Sequence, residues 1–465
     1  MLRLQLKRLV VLRSKCDMKE FIEKIRNIFR IEELRQRIIY TLLLLAVFRL
    51  GSYVILPGVD SAQLALDFEK GQGGGILDLI NVFVGGAFAR GAIFALGIMP
   101  YISASIIVQL LGAALPSIQK LQKEGDSGQK KINQLTRYLT VLITLGQSAA
   151  YIVNLKSMYP VATSNMGSTF VWLMALLILT AGTMFLVWLG ERITDNGLGN
   201  GTSLIIAIGI ISGLPPALVN EGRANPPMLF FIEIIALGLA TMAVVGITQA
   251  TRKIPINYAR RVMGNRQAGG MSNNARQYIP LKINSAGVMP IIFAQSIMFI
   301  PASIAQFFPN SSFWNTTGSI LGNPNGIFYN LTFALLIIVF TYFYTAIVIN
   351  PNDIADNLKR TGGFIPGVKP GKKTSEYIDN ILSRITLPGS VALAFVAIFP
   401  SIASAMGVSQ SFSQFFGGTS LLIMIGVVLD TLQQIESYLL MRHYDGLMKT
   451  GGRARKTQGA AGVSA

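Results

Sequence analysis

The chain has 465 residues, of which 51% are hydrophobic and only 13% charged, and its net charge is +18. A soluble domain carries about 25% charged residues, so this deficit and a mean hydropathy of +0.51 point to lipid as the solvent. A single cysteine, Cys16, and a single histidine, His443, exclude a disulfide framework, a Cys- or His-centred metal site and a Ser/His dyad. The basic residues lie between apolar runs rather than on one soluble face, which argues against nucleic acid.

Residues 1–37 form a basic segment with eleven lysines and arginines. Its apolar run Leu9 to Leu12 is too short for a cleavable signal peptide. Met18 is a second candidate start, and MKEFIEKIRNIFRIEELRQRI after it has the spacing of an amphipathic helix. That helix is either solvated or held at the interface by its cations and by Phe21, Ile25, Ile28 and Phe29.

Ten runs then follow that are long enough to cross about 30 Å of hydrocarbon. In order they are Ile38 to Leu56, Gly91 to Gly112, Tyr138 to Leu155, Phe170 to Gly190, Ser203 to Val219, Met228 to Ala250, Ala286 to Gln306, Phe328 to Asn350, Thr386 to Ala405 and Ser420 to Leu440. Between the first two lies GGGILDLINVFVGGAFARG, whose apolar core Ile76 to Val84 is about half a span. Glycines on both sides give it hinges, so it predicts a half-helix or interfacial turn, either fixed filler or a movable element.

With the N-terminus inside, 35 of the 40 basic residues fall on the inner face, and the outer stretches Phe307 to Ile327 and Ile402 to Thr419 carry no charge. The positive-inside rule is thus met in every loop, which places both termini in the cytoplasm. Within the spans the ionisable residues are few: Arg49, Glu233, Asp430 and Glu436. Ion-coupled transporters place carboxylates or broken-helix ion sites at the midplane, and no such cluster is evident.

Two long inner loops, 251–285 and 351–385, combine basic residues with Pro and Gly, as in TRKIPINYARR and DNLKRTGGFIPGVKPGKK. They read either as topogenic loops near anionic headgroups or as docking surfaces. GLGNG at Gly197 to Gly201 is a lone Gly-rich turn that suits helix entry better than phosphate binding, and no Walker A pattern occurs.

ALGIMPYISASIIVQLL (Ala95 to Leu111), GTMFLVWLGERIT (Gly182 to Thr194), INYARR (Ile256 to Arg261), PLKINSAGVMPIIFA (Pro280 to Ala294), FYTAIVINPNDIADNLK (Phe343 to Lys359) and FFGGTSLLI (Phe415 to Ile423) closely resemble the SecY family. The resemblance runs from about Ile31 to Leu447. It implies an all-α polytopic membrane protein of ten transmembrane helices in two inverted pseudo-symmetric halves of five, 38–219 and 228–440, joined by an external hinge at 220–227, with an inner tail at 441–465. It puts a re-entrant plug helix at about 73–83, with Ile76, Leu77, Leu79, Ile80, Val82 and Phe83.

A pore ring of aliphatic side chains is implied at Ile98, Ile102, Ile206, Ile292 and Ile423, with Thr202 standing where related sequences often have isoleucine. Ile98 and Ile102 have the i, i+4 spacing of one helical face. Such a ring sheds water and ions when empty and fits a passing chain of any sequence. A lateral gate between spans two and three and spans seven and eight implies interhelical roles for Gln109, Gln147, Asn284 and Gln295.

Docking of the SecA motor or the ribosome is implied at Arg252, Lys253, Arg260, Arg261, Lys359, Arg360 and Lys369. At the last position lysine replaces the common arginine and loses its planar fork. The implied function is a channel that passes unfolded secretory polypeptides and releases apolar segments and signal sequences into membrane lipids. The resemblance also implies a place in a bacterial inner membrane with SecE and SecG as small membrane subunits, no cofactor, and energy drawn from a partner or a gradient rather than from its own catalysis. A small-solute transporter and a membrane scaffold are the competing classes.

Overall fold

The computed structural model describes residues 31–67, 81–164, 168–258, 277–284, 287–307, 312–321 and 323–457. The expected positions Ile76, Leu77, Leu79, Ile80, Arg260 and Arg261 lie outside them.

The helices are α1 (Glu32–Gly51), α2 (Ser61–Asp67), α3 (Met99–Ala114), α4 (Pro116–Lys123), α5 (Asp126–Met158), α6 (Thr169–Asn196), α7 (Gly201–Ala224) and α8 (Pro227–Gln249). Strands β1 (Thr251–Tyr258) and β2 (Gln277–Lys282) follow, then α9 (Met289–Phe307), α10 (Ser312–Leu321), α11 (Ile327–Val348), α12 (Pro351–Arg360), β3 (Gly363–Phe364), α13 (Lys372–Ala405), α14 (Gln410–Ser413) and α15 (Gly418–Thr457). Among the described residues, seven helical stretches are long and apolar enough to cross a membrane, or eight if the pair Met99–Gly112 and Pro116–Gln122, bent by 105°, is one span.

Two of the expected spans are helices that fall short of that measure. Helix α1 carries Glu32, Glu33, Arg35, Arg37 and Arg49 within its 20 residues. The strongly apolar part of α9 is the short stretch Met289–Met298, with Pro301 beyond it. The second expected span starts late: Gly91 and Gly97 adopt positive φ (61° and 57°), so residues 91–98 turn and the helix begins only at Met99.

Several threonines in the helices are satisfied locally. Along α5, Thr136, Thr140 and Thr144 are buried at four-residue spacing, and each hydroxyl donates to the carbonyl one turn back at 2.6–2.9 Å. Lipid offers no partner, so such back-bonding lets a helix carry hydroxyls through it.

An all-α fold was expected, but a three-stranded antiparallel sheet in the order β2-β1-β3 is present. In β1, Ile254 and Ile256 are buried while Lys253, Pro255 and Asn257 are exposed, the period of two that a half-covered strand requires. Ile254 pairs with Ile279 and Asn257 with Phe364. The covered face packs on Leu358 of α12 and on Ile378, Ile381, Leu382 and Ile385 of α13. Helix α12 is capped by the Asn350 side chain, which accepts the Asn352 N–H (3.1 Å), and has Pro351 in its first turn and Lys359 and Arg360 in its last.

Backbone contacts divide the chain into two compact units, Met1–Gly51 with Leu186–Ile205 and Val427–Ala465, and Ser52–Phe185 with Ile206–Gly426. In the first, the turn Gly197 to Gly201 is the entry to α7. Arg37 donates to the Gly197 carbonyl (3.3 Å) and lies 5.2 Å from the Tyr438 ring centroid; Thr41 Oγ1 accepts the Leu198 N–H (3.1 Å), and Gln434 accepts the Gly199 N–H (2.8 Å). Gly199 needs its φ of +75°, and a Cβ on Gly201 would stand 2.0 Å from the Gly190 carbonyl. The second unit holds the sheet and the cavity described next.

Candidate pore constriction

Residues 81–98 are mostly irregular yet buried. Non-helical backbone at membrane depth must be covered by protein or line a cavity, and here it is covered. Val84, Ala87, Phe88, Ala92, Ala95 and Leu96 pack in one core with Tyr151, Leu155, Tyr159 and Leu179. Tyr151 donates its hydroxyl to the Phe88 carbonyl (2.9 Å) and meets the Phe88 ring edge-on at 4.8 Å. The Asn81 side chain accepts the Ala89 N–H (3.0 Å), and the Gly86 N–H bonds the Asn81 carbonyl (2.8 Å). Helix α7 is notched to admit this segment, since a Cβ on Gly209 would lie 2.3 Å from the Phe83 carbonyl oxygen.

Beside it lies a cavity of about 10 Å³, at most the room of one water, walled by Phe83, Met99, Ile102, Ile206, Ile292, Gln295, Thr419 and Ile423. Four of the five isoleucines expected at the ring therefore meet there, from α3, α7, α9 and α15. Each is 9% exposed or less. Their union reflects helical geometry at each site: Thr419 and Ile423 are one turn apart on α15, and Ile292 and Gln295 share a face of α9. The wall is apolar, so a water there gains no partners, and ions would lose their hydration without replacement.

Ile98 is buried but does not line this cavity; it precedes α3 with φ −97° and ψ 1°, and Met99 takes a place in the wall. Thr202 sits in the first turn of α7, where its hydroxyl donates to the Asn200 side chain (2.7 Å), which also caps the Thr202 N–H (3.1 Å). Of the expected plug residues, Val82 and Phe83 are described, and Phe83 reaches the cavity. Met99 and Thr419 went unpredicted. Thr419 carried a usable signal, its spacing of four from Ile423, whereas Met99 had none until the helix start was known.

The four polar candidates differ. Gln295 is buried on the cavity wall and hydrogen-bonded to Tyr329 of α11. Gln109 donates to Ser105 on its own helix (3.2 Å). Gln147 is half-buried on α5, and Asn284 is buried with no hydrogen-bond partner for its Oδ1 among the described residues. Helix α9 packs against both α3 and α5, so the elements expected to flank a lateral opening do touch.

On the sheet, Arg252 and Lys253 are exposed, and Lys253 Nζ lies 4.7 Å above the Tyr278 ring. Lys359, Arg360 and Lys369 are also exposed, around the same small core. Two loops distant in sequence thus share one folded core, with these basic residues exposed around it.

Several helices long and apolar enough to cross a membrane meet on a small apolar cavity, the architecture of a polytopic membrane protein. A sequence model of the SecY family matches residues 92–432. The protein translocase subunit SecY of Streptomyces galbus is 42% identical over 435 residues, covering 90% of this chain and 98% of its own. Among solved structures, a protein-conducting channel aligns with a TM-score of 0.62 at 16% identity, over 87% of this chain and 92% of its own. The canine Sec61 channel from a ribosome complex of the endoplasmic reticulum aligns with 0.57 at 15%, over the same shares. The chain belongs to the SecY family. Membership sets aside the small-solute transporter and places the chain among translocase channel subunits rather than enzymes.

Proposed function

We propose that this chain is the conduit through which unfolded secretory polypeptides cross a bacterial inner membrane, and that Ile102, Ile206, Ile292 and Ile423, with Ile98 beside them, close around the passing chain. The observation that carries this reading is the convergence of isoleucines from four helices far apart in sequence on one small apolar cavity. Thr202, one turn before Ile206, is the position where the ring departs from the family pattern. In this reading the chain makes ten spans, the two shortfalls α1 and α9 included. They form two inverted halves, 38–219 and 228–440, joined at 220–227, with both termini cytoplasmic as the basic loops require.

The plug spans about 73–83 and ends at Phe83 against the ring. Lateral release of apolar segments runs between α3 with α5 and α9 with α11, where Gln109, Gln147, Asn284 and Gln295 lie. SecE and SecG are the small subunits. SecA or a ribosome supplies the driving force through Arg252, Lys253, Arg260, Arg261, Lys359, Arg360 and Lys369. The ribosome-bound canine channel, similar in fold, supports the ribosome as a partner.

The test is a cysteine at the ring. Ile292→Cys, in a Cys16→Ser background, is expected to crosslink to a secretory precursor stalled in transit. No crosslink from Ile292 or from any other ring position would sink the reading.

A further inference from the structure

At the far end of α7 from Ile206, Glu221 is a fully buried carboxylate (0% exposed). Its Oε1 accepts the Ser409 N–H (3.2 Å) and Asn225 Nδ2 (2.8 Å), and its Oε2 accepts the Ser409 hydroxyl. Asn225 Nδ2 also donates to Glu233 Oε1 on α8 (3.1 Å). A buried carboxylate persists only where hydrogen bonds replace its water, and two of the donors here come from one residue 188 positions away.

Ser409 itself is exposed, its carbonyl accepting the Phe412 and Ser413 N–H groups (3.1 and 2.8 Å), and from Phe412 on the chain runs buried to the cavity. Phe412, Phe415 and Phe416 are each 3% exposed or less, and the Phe412 and Phe416 rings meet edge to face at 5.1 Å. Phe415 lies against α7 itself, where a Cβ on Gly213 would be 3.4 Å from its ring. Gly418, at φ +64°, starts α15 in a notch where a Cβ would stand 2.9 Å from the Pro400 ring. The path from Phe412 to Ile423 therefore has little room to shift, and α7 carries both Glu221 and Ile206.

We propose that Glu221 is a positioning residue for the constriction. By fastening Ser409 to the end of α7, it sets the spacing between Ile206 and Ile423 and so keeps the empty ring sealed. This rests on the ring reading given above. The mechanism is leverage along packed elements: α7 carries Pro215 and Pro216 between Ile206 and Glu221, so it is braced by Phe415 packed at Gly213 rather than by helix stiffness, and the close-packed segment 412–423 has few alternative arrangements.

The test uses the full chain with its partner subunits in proteoliposomes. Disulfide yield between Ile206→Cys and Ile423→Cys, in a Cys16→Ser background, is measured beside resting ion conductance, both well below the unfolding midpoint. Glu221→Ala is expected to lower the yield and raise conductance by about three- to tenfold, the worth of a hydrogen bond or more. Glu221→Gln keeps one acceptor and Ser409→Ala keeps the N–H, so both are expected to fall between; they decide the matter if Glu221→Ala does not fold.

A lowered melting point with yield and conductance unchanged would make the carboxylate merely structural and overturn the proposal. A disulfide formed equally in all variants sinks the clasp alone. Absence of the disulfide even with Glu221 intact counts against the ring, and conductance then still decides whether Glu221 holds the seal.

Discussion

The apolar cavity and the basic sheet lie in the same compact unit, yet they are built on opposite principles. The cavity wall offers side chains without charge, drawn from four helices that supply one or two residues each and from Phe83. The sheet and the helices packed on it keep isoleucines inside and leave Arg252, Lys253, Lys359, Arg360 and Lys369 exposed. On the proposed reading, the cavity that admits a passing chain reads size and wetness, whereas the basic surface that holds a partner displays fixed charge on a rigid frame. The two should therefore fail in different ways when altered.

The largest expected effect is at the cavity. Ile206→Asp puts a carboxylate at a site 6% exposed, at a cost of about 2.5–3.5 kcal/mol on insertion scales, and wets the constriction. Resting conductance in planar bilayers should rise about tenfold, as expected when a dewetted barrier is lost. An unchanged conductance would show that the cavity is not the seal.

Ile378→Ala acts on the other region. That side chain is 1% exposed in the sheet's core, and its truncation should cost about 2–5 kcal/mol. Amide exchange in β1 and α12 should quicken while resting conductance stays as it was; a leak would mean the two regions are mechanically one.

Gly209→Ala tests the close approach between α7 and the segment ending at Phe83. With its Cβ 2.3 Å from a carbonyl oxygen, backbone must move, at about 1–3 kcal/mol. Conductance should rise by less than with Ile206→Asp. Ala and the wild type conducting alike would show that the seal does not depend on this contact.

The smallest effect on stability belongs to Lys369→Glu. The side chain is exposed, so unfolding should shift by no more than about 0.5 kcal/mol. Motor- or ribosome-driven translocation should nonetheless slow several-fold, with resting conductance unaltered. Normal translocation would remove Lys369 from the docking surface.

What could be read in advance follows from the kind of information each feature needs. Span positions come from sums along the chain, so α5 to α8, α11, α13 and α15 all cover runs already visible as apolar. Helix starts depend on backbone angles, and for that reason the second run was placed at Gly91 while α3 begins at Met99. The alternation of Ile254 and Ile256 was present in the loop, but a strand is recognised only when it has a partner, and β2 and β3 lie well apart from it in sequence. Glu221 was not singled out, because an acidic residue near a span end is ordinary until Ser409 stands beside it.

The sequence by itself determined that the chain lives in lipid, which way its basic loops ask it to face, and where a segment too short to span interrupts the series; each is additive over neighbouring residues. Only the tertiary structure decided which isoleucines share a cavity, that Gln295 stands among them, that two basic loops make one sheet, and that Glu221 grips Ser409. Those pairings join residues far apart in the chain, and they are selected by close packing and by the need to satisfy every buried polar group, conditions that no local stretch of sequence can express.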